Sequence, residues 1–347
     1  MMARTLNRSA VIIGLLTLAA GFATPARAAG VVGNGVRQSC TEAALDAALA
    51  DGGGVTFNCG PKPFTITVTA PKVISTDTTV DGGGLLTLSG GKKVLIFFVG
   101  SGNTLNLSNT TLTEGRFSFG GAIYNDVSST LNVTNCSFVR NHAPGAEADG
   151  GAIDNYGTMA VSNSTFFMNS TGGVSGAIEN NGTLTVSNCT FFRNHAIVGG
   201  AIASAGPLTI INSTFFLNNT LFYGSGGAIY SAGDTMIQNT ILANSRRGGN
   251  TVGPVVDGGH NLRWPRGDKS GVGLYGDPKL VLPVNNGGTV RTMRLRAGSA
   301  AINAGDNAIC AASPIDNLDQ RGFARPGVGS TNCSIGAYEF NASAPTP

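Results

Sequence analysis

Short segments of alternating hydrophobic and polar residues fill the middle of the chain, and the same pattern recurs five times. Each copy opens with a phrase such as GGAIYN, continues with an alternating segment such as TLNVTN, and ends with a Phe-bearing segment such as CSFVRN. The copies start 24 to 30 residues apart, at Gly120, Gly150, Ser175, Gly199 and Gly226. A unit this short cannot bury its own apolar face, so successive copies must stack and share one core. The pattern therefore predicts a solenoid of β-strands.

Two apolar positions of the repeat are predicted to point into this core. They are the Ile of each opening phrase and the first Phe of each closing segment, with Leu242 in place of Phe in the last copy. The resulting rows are Ile123, Ile153, Ile178, Ile202 and Ile229, and Phe138, Phe166, Phe191 and Phe215.

Asparagine recurs at two bends of every copy. Asn tolerates left-handed backbone geometry, and its side-chain amide can bond to the next copy. We therefore predict ladders of stacked Asn side chains rather than glycosylation at the many N-x-S/T triplets. The two rows are Asn135, Asn163, Asn188, Asn212 and Asn239, and Asn141, Asn169, Asn194 and Asn218.

The two ends of the chain depart from the repeat. The segment SCTEAALDAALAD predicts a short helix with Ser39 and Glu42 at capping-box spacing, and residues 39–54 would plug one open end of the core. The solenoid is expected over 55–245. Residues 246–347 are irregular and rich in Pro and Gly, which favours a C-terminal cap continuous with the solenoid over a separate small domain.

The composition indicates where the protein is found. Residues 1–28 combine a basic start, an apolar run and small residues before Ala28, which is typical of an export signal. No later segment is apolar for long enough to span a membrane. The net charge of +3 has no basic block, so nucleic acid is not expected as a partner. The mature protein is therefore expected to be secreted or held at the cell surface.

Six cysteines agree with export. Cys40 with Cys59, and Cys310 with Cys333, are candidate bridges, although the sequence does not settle either. Cys136 and Cys189 occupy one repeat position two coils apart. A strand spacing of about 4.8 Å would separate them by roughly 10 Å, too far for a disulfide. They are expected to be small buried residues.

Several segments resemble known families. TVDGGGLLTLSGGKKVLIFFV and the GGAI repeats resemble right-handed parallel β-helix proteins of the polymorphic outer-membrane repeat type. GDPKLVLPVNNGGTVRTMRLRAGSAAINAGD, DQRGFARP and CSIGAYEF are similar to the choice-of-anchor Q family. The resemblance implies an all-β, pectate-lyase-like fold: a right-handed parallel β-helix of three-stranded coils with a short N-terminal capping helix and an irregular C-terminal cap of choice-of-anchor Q type. It implies no particular reaction.

One candidate site lies on the outward side of the opening phrases. If each Ile points inward, the next residue points outward, and this row reads Tyr124, Asp154, Glu179, Ala203 and Tyr230. Asp154 and Glu179 would then be roughly 5 Å apart on adjacent coils. They could act as an acid/base pair, suit a retaining glycosidase, or share Ca²⁺ that binds an acidic sugar. The alternative is two hydrated surface carboxylates.

A second candidate is the repeated Arg-Asn-His corner. Arg140 and His142 recur two coils later as Arg193 and His195. Together with the acidic pair they could form a cleft for β-elimination, in which Arg neutralises a uronate, His accepts the proton and the carboxylates hold a cation. The alternative is repeat variation on a solvated turn.

A third candidate is aromatic. Strict alternation would turn Phe167, Phe192 and Phe216 outward, as a stripe that stacks on sugar rings with Tyr124 and Tyr230. The alternative is that the strand bends and buries them.

Two functions follow from these candidates. The first is a secreted or cell-surface β-helix protein that binds polysaccharide or other envelope components. The second is a polysaccharide-active enzyme, which we expect to be a lyase that cleaves an acidic glycan by β-elimination. A hydrolase is less expected, since the clustered Asp residues and G-H-G segment of β-helix polygalacturonases are missing from the sequence. No cofactor is certain, and Ca²⁺ is the candidate.

Overall fold

The computed structural model describes residues 30–221, 224–245, 247–268 and 270–344, so the predicted export signal lies outside the described residues. The strands pair in parallel, coil upon coil, and form a right-handed parallel β-helix. Helical structure is limited to a 3-10 turn at Arg37–Ser39 and two short α-helices, Glu42–Leu49 and Asn307–Ala311, in the described part. The predicted fold class is confirmed.

Three parallel sheets form the faces of the helix. Sheet 1 has eight strands: Lys72–Ile74, Phe97–Val99, Ile123–Asn125, Ile153–Asn155, Ile178–Asn180, Ile202–Ser204, Ile229–Ser231 and Thr251–Val252. Sheet 2 has eighteen: Gly30–Val32, Gly53–Phe57, Phe64–Thr67, Thr78–Ser89, Thr104–Thr113, Thr130–Thr134, Ser137–Val139, Thr158–Ser162, Thr165–Phe167, Thr183–Ser187, Thr190–Phe192, Leu208–Ile211, Thr214–Phe216, Thr235–Gln238, Ile241–Ala243, Val255–Asp257, Leu262–Trp264 and Leu274–Tyr275. Sheet 3 has four two-residue strands: His142–Ala143, Ser170–Thr171, His195–Ala196 and Asn219–Thr220. Each repeat thus gives one strand to sheet 1 and two to sheet 2, as predicted for a three-stranded coil.

Both predicted apolar rows fill the core. The five Ile side chains and the Phe row with Leu242 are fully buried. The rings of Phe138, Phe166, Phe191 and Phe215 stack with centroids 4.5 to 4.7 Å apart and nearly parallel planes. In-register stacking of identical side chains fixes the register of the strands although the repeat length varies.

The paired small residues of each opening phrase are required by the backbone. Gly150 has φ of +58°, a left-handed conformation that favours Gly. A Cβ on the next residue, Gly151, would lie 2.2 Å from the carbonyl oxygen of Gly176 on the adjacent coil. The turn into sheet 1 therefore brings two backbones too close for a side chain.

The predicted Asn ladder is present in the core. The side-chain amide of Asn141 donates to Asn169, that of Asn169 to Asn194, and that of Asn194 to Asn218, each at 3.0 Å. At this bend the left-handed residue is the one before each Asn, such as Arg193 with φ of +53°. Asn thus satisfies the buried backbone here without itself adopting the left-handed conformation.

The Asn residues of the other predicted row, Asn135 to Asn239, do adopt the left-handed conformation. All five of its members have φ between +47° and +56°. The ladder predicted for this row does not form in the described structure, because amides such as those of Asn188 and Asn239 donate to the carbonyl oxygens of Leu318 and Asp306 instead. A further ladder was not predicted: Asn125 donates to Asn155 and Asn155 to Asn180, both at 2.7 Å, at the end of the sheet 1 strands.

Replacing one ladder residue should lower stability measurably. Asn194→Ala leaves the amide N–H of Asn169 and the carbonyl of Phe166 without their partners in a buried site. We expect the free energy of unfolding to fall by about 1–3 kcal/mol, measured by urea denaturation. Asn181→Ala, at an exposed position of the same coil, is the control and should change it by less than about 0.5 kcal/mol. Equal effects of the two substitutions would show that the ladder does not stabilise the coil.

The N-terminal helix is present but its cap differs from the prediction. Thr41, not Ser39, is the N-cap residue, and its hydroxyl accepts from the amide of Ala44 at 3.2 Å. Glu42 instead bonds Thr69 and forms an ion pair with Lys72 at 2.6 Å. Leu45 packs into the core. The helix is thus fixed to the first coils by a charged contact that local spacing does not reveal.

The parallel strands extend beyond both predicted limits. Gly30–Val32 pairs with Val55–Phe57 at one end, and Leu262–Trp264 pairs with Leu274–Tyr275 at the other. The β-helix therefore runs past residue 245, because coils that have lost the GGAI phrase still pair in parallel and place Val272 in the core.

The C-terminal residues lie along the side of the β-helix. We call 277–344 the lateral segment. The hydroxyl of Thr165 donates to the carbonyl of Arg291, that of Thr190 to Gln320, and the amide of Ala337 to the hydroxyl of Thr214. A second apolar cluster joins sheet 2 to this segment through Ile241, Leu262, Leu295, Ala301 and Ile335. The predicted end cap is thus corrected to a segment that covers the outer face of sheet 2.

Two motifs of the lateral segment, DQRGFARP and CSIGAYEF, form one buried ionic network. Arg325 and Glu339, both fully buried, pair at 3.1 Å, and Asp319 pairs with Arg321 at 2.6 Å. Arg325 also donates to the side-chain oxygen of Asn188 on sheet 2 at 3.3 Å. DQRGFARP and CSIGAYEF therefore hold the segment together and attach it to the solenoid.

The cysteine pairs are as predicted. Cys40 is bonded to Cys59 and Cys310 to Cys333, while Cys136 and Cys189 are free and buried. Among the described residues no helix has the length and apolar character needed to cross a membrane.

Candidate functional site

The outward row of sheet 1 is longer than the sequence indicated. Strand register continues the row back to Phe98 and Val73 and forward to Val252. Along the axis it reads Val73, Phe98, Tyr124, Asp154, Glu179, Ala203, Tyr230 and Val252. One face of the helix thus changes from aromatic to acidic over successive coils.

The aromatic part of this row lies in a groove with a volume of about 690 Å³. We call it the aromatic groove. It is lined by Pro71, Val73, Leu95, Phe98, Phe117, Phe119, Tyr124, Asp126 and Tyr156.

The rings of the groove come from several elements. Phe98 and Tyr124 stand on adjacent strands of sheet 1 and stack with centroids 5.3 Å apart. Tyr156, just after the next strand, lies 5.8 Å from Tyr124. Phe117 and Phe119 precede the strand Ile123–Asn125 and are 45% and 41% exposed. Large apolar side chains this exposed and this close together are typical of a binding surface.

The acidic part of the row is buried. Asp154 and Glu179 are register partners on adjacent strands, as predicted, but Asp154 is fully buried and Glu179 nearly so. The hydroxyl of Ser175, which replaces Gly at the left-handed position, donates to Glu179 at 2.6 Å. Neither carboxylate oxygen of Asp154 has a hydrogen-bond partner among the described residues. The alternative of two hydrated surface carboxylates is therefore wrong.

Burial sets the protonation of this pair. Burial, together with a smaller effect of the nearby charge of Asp149, raises the pKa of Asp154 to about 7. Burial likewise raises the pKa of Glu179 to about 8, against the lowering effect of the Ser175 hydrogen bond. Burial and the charge of Asp154 raise the pKa of Tyr156 to about 12. The pair therefore takes up protons near neutral pH, beside the aromatic groove.

The predicted Ca²⁺ site at Asp154 and Glu179 gains no further acidic or imidazole ligand in the described structure. In the described ranges no three His, Cys, Asp or Glu side chains are grouped so that they could hold a metal ion. Since Ca²⁺ takes six to eight oxygen ligands, the pair alone does not fit it.

The Arg-Asn-His corners lie on a different face. His142 and His195 flank Ser170 in sheet 3, and Nδ1 of His142 lies 2.9 Å from the Ser170 hydroxyl. Arg140 and Arg193 are exposed. No hydrogen bond or ion pair joins these four side chains to Asp154 or Glu179 within the described structure, so the predicted mixed-charge cleft is not assembled.

A separate cavity of about 450 Å³ includes one of these corners. It is lined by Met168, Arg193, Asn194, His195, Leu217, Asn219 and Leu221. Burial lowers the pKa of His195, and the neighbouring His142 lowers it further. A neutral imidazole can accept a proton, but none of the lining residues is a carboxylate that could orient it.

The predicted Phe stripe is covered. Phe192 is 3% exposed, the guanidinium of Arg291 lies 5.6 Å from the ring of Phe167, and Phe216 packs in the cluster shared with the lateral segment. These three residues are therefore buried or half-buried contacts of the lateral segment and not a surface for sugars. Tyr230 is half-buried two coils beyond Glu179 and does not line the aromatic groove.

Four aromatic residues of the groove were not predicted: Phe98, Phe117, Phe119 and Tyr156. The sequence contains a signal for one of them, Phe98. Aligning KVLIFFV with the opening phrase places Phe98 in the row of Tyr124.

Comparison with known proteins supports the repeat class. Residues 86–246 match a family model described as "Right handed beta helix region". Searches of curated proteins and of solved structures found no significant match. Sequence and structure therefore agree on a β-helix repeat protein.

Proposed function

We propose that this protein is a secreted or cell-surface β-helix protein that binds a polysaccharide or another envelope glycan in the aromatic groove. The observation that carries the proposal is the set of exposed and half-exposed rings along one face of the helix. The apolar faces of sugar rings pack on aromatic side chains, while hydroxyl groups remain in water.

The shape of the groove favours a chain of sugars over a single one. Its residues extend over four coils, from Val73 to Tyr156. At about 4.8 Å per coil this is roughly 14 Å along the axis. A parallel β-helix thus offers a polymer a straight track with rings at regular intervals.

Export is part of the proposal. It is supported by the character of residues 1–28 and by the two disulfides, which persist in oxidising compartments.

A polysaccharide lyase is the second candidate. The observation in its favour is the pair of carboxyls with raised pKa values beside the groove, a common feature of catalytic sites. Against it, the Asp154 oxygens are inaccessible to a substrate, and the Arg and His residues lie on another sheet. On incubation with uronate polysaccharides we expect no rise in the absorbance of unsaturated uronates; a rise that Asp154→Asn abolishes would favour the lyase.

Removing rings from the groove should weaken glycan binding. Phe119→Ala and Tyr124→Ala each delete a stacking surface worth about 1–2 kcal/mol, so we expect about 5- to 30-fold weaker binding. The measurement is isothermal titration calorimetry with oligosaccharides selected from a panel of acidic and neutral glycans.

The matched control is Tyr275→Ala. Tyr275 is 41% exposed, like Phe119, but lies on the last strand of sheet 2 and should leave the affinity unchanged. Unchanged affinity of both groove variants, or loss of binding in Arg193→Ala alone, would place the site elsewhere. Binding of no glycan by the intact protein would end the proposal.

A further inference from the structure

We infer that the aromatic groove prefers glycans that carry free amino groups to glycans that carry carboxylates. The inference rests on the proposed function, because it names the class of glycan that this same groove selects. It is carried by the charges of the groove and of the coils next to it.

The lining itself carries one kind of charge. Among the described residues that line the groove, Asp126 alone has a charged side chain. Its Oδ1 accepts from the amide of Val127 at 2.8 Å, and its Oδ2 has no recorded partner within the described structure. A half-buried carboxylate at the edge of an apolar surface attracts an ammonium group and repels a uronate.

The neighbouring coils place further carboxyl groups beside the groove. Asp154 follows Tyr124 in the outward row, Glu179 follows Asp154, and Asp149 lies close to both. Burial raises the pKa of Tyr124, and the charges of Asp126 and Asp154 raise it further, so both carboxyls lie near a ring of the groove. Because burial raises the pKa of Asp154 to about 7 and that of Glu179 to about 8, these two groups add negative charge to that of Asp126 mainly above neutral pH.

Basic groups that could neutralise a uronate are directed to other partners. Lys72, next to Val73, is nearly buried and pairs with Glu42 and Asp46, each at 2.6 Å. Arg116, next to Phe117, is exposed, does not line the groove, and lies close enough to His142 for its charge to lower the pKa of that imidazole, after the larger effect of burial. A uronate site would need a guanidinium aimed into the groove.

The aromatic faces favour the same ligand. Ammonium groups are attracted to the faces of Tyr and Phe rings when they lie within about 6 Å of the ring centre. Phe98, Tyr124 and Tyr156 stand close together, and Asp126 lines the same groove. An amino sugar can stack its ring and place its ammonium between these groups at once.

The test compares oligosaccharides of equal length that differ in one substituent. Calorimetric titrations use β-1,4-linked glucosamine, N-acetylglucosamine and galacturonate oligomers at low and at high salt. We expect glucosamine to bind about tenfold more tightly than N-acetylglucosamine at low salt, with the difference shrinking as salt screens the charges. Asp126→Asn should reduce that preference several-fold, because it lowers the affinity for glucosamine more than the affinity for N-acetylglucosamine.

Asp234→Asn, an exposed carboxylate outside the groove, is the control and should keep the full preference. Equal affinity for the amine and its acetylated form, or tightest binding of galacturonate, would overturn the inference and leave the proposed function standing. Binding of none of the oligomers would instead overturn the proposed function. A dimer in solution that Phe119→Ala dissociates would overturn both, since the groove would then be covered by a second copy.

Discussion

Arg325→Met is expected to lower the free energy of unfolding by about 3–5 kcal/mol, the largest effect of any substitution proposed for this protein. The change removes the guanidinium and leaves the carboxylate of Glu339 buried without its charged partner. It also removes hydrogen bonds to the carbonyl oxygens of Ser334 and Gly336 and to the side chain of Asn188. The lateral segment would lose both its internal support and a contact with sheet 2.

Urea unfolding followed by circular dichroism and by the fluorescence of Trp264 measures this effect. Trp264 packs in the cluster shared by sheet 2 and the lateral segment, so it reports detachment of that segment. Arg296→Met, an exposed arginine of the same segment, is the control and should change stability by less than about 0.5 kcal/mol. Similar stabilities for the two variants would mean that the lateral segment does not contribute to the stability of the β-helix.

The second large effect is a loss of stability as the pH rises. The folded-state pKa values of Asp154 and Glu179, about 7 and about 8, lie above their ordinary values of 3.8 and 4.5. Between about pH 4 and pH 8 the folded protein therefore binds more protons than the unfolded chain, and its stability falls as the pH increases. A shift of about three pKa units corresponds to about 4 kcal/mol for each group at most. This contribution is complete below about pH 4 and is lost as the pH passes through 7 to 8.

Neutral isosteres should remove that loss. Asp154→Asn and Glu179→Gln keep the shape of the side chains and cannot ionise, and the Gln side-chain oxygen can still accept from Ser175. We expect both variants to be more stable than the original protein near pH 9 and to show a smaller decrease in unfolding free energy between about pH 5 and about pH 9. Glu147→Gln, an exposed carboxylate of the loop before Asp149, should behave like the original protein. If the two buried substitutions leave the pH dependence unchanged, the pair does not bind protons as its burial requires.

The fold could be predicted because its information is local and repeated. Five copies in register place Ile153, Phe166 and Asn169 at the same position of every coil, so period and direction follow from the sequence alone. The covering of sheet 2 could not be predicted in this way. Contacts such as Thr190 with Gln320 join residues 130 positions apart, and no periodicity relates them. The repeat pattern therefore predicted that Phe167, Phe192 and Phe216 form an exposed stripe, although the lateral segment covers this row.

The candidate site was predicted in part for the same reason. Register alone placed Asp154 beside Glu179 and put Tyr124 in the same row. Whether an outward carboxylate is hydrated depends on how the loops beside the strand pack, which the repeat pattern does not specify. Phe117 and Phe119 belong to such a loop, so the groove appeared only with the structure.

A crystal structure of the protein with a bound oligosaccharide tests whether glycans bind in the aromatic groove. We expect sugar rings packed on Phe98, Tyr124 and Phe119, at van der Waals distance of about 4 Å from the aromatic faces, with the chain running along the helix axis. An oligosaccharide bound instead in the cavity lined by Arg193 and His195, with the aromatic groove empty, would contradict it.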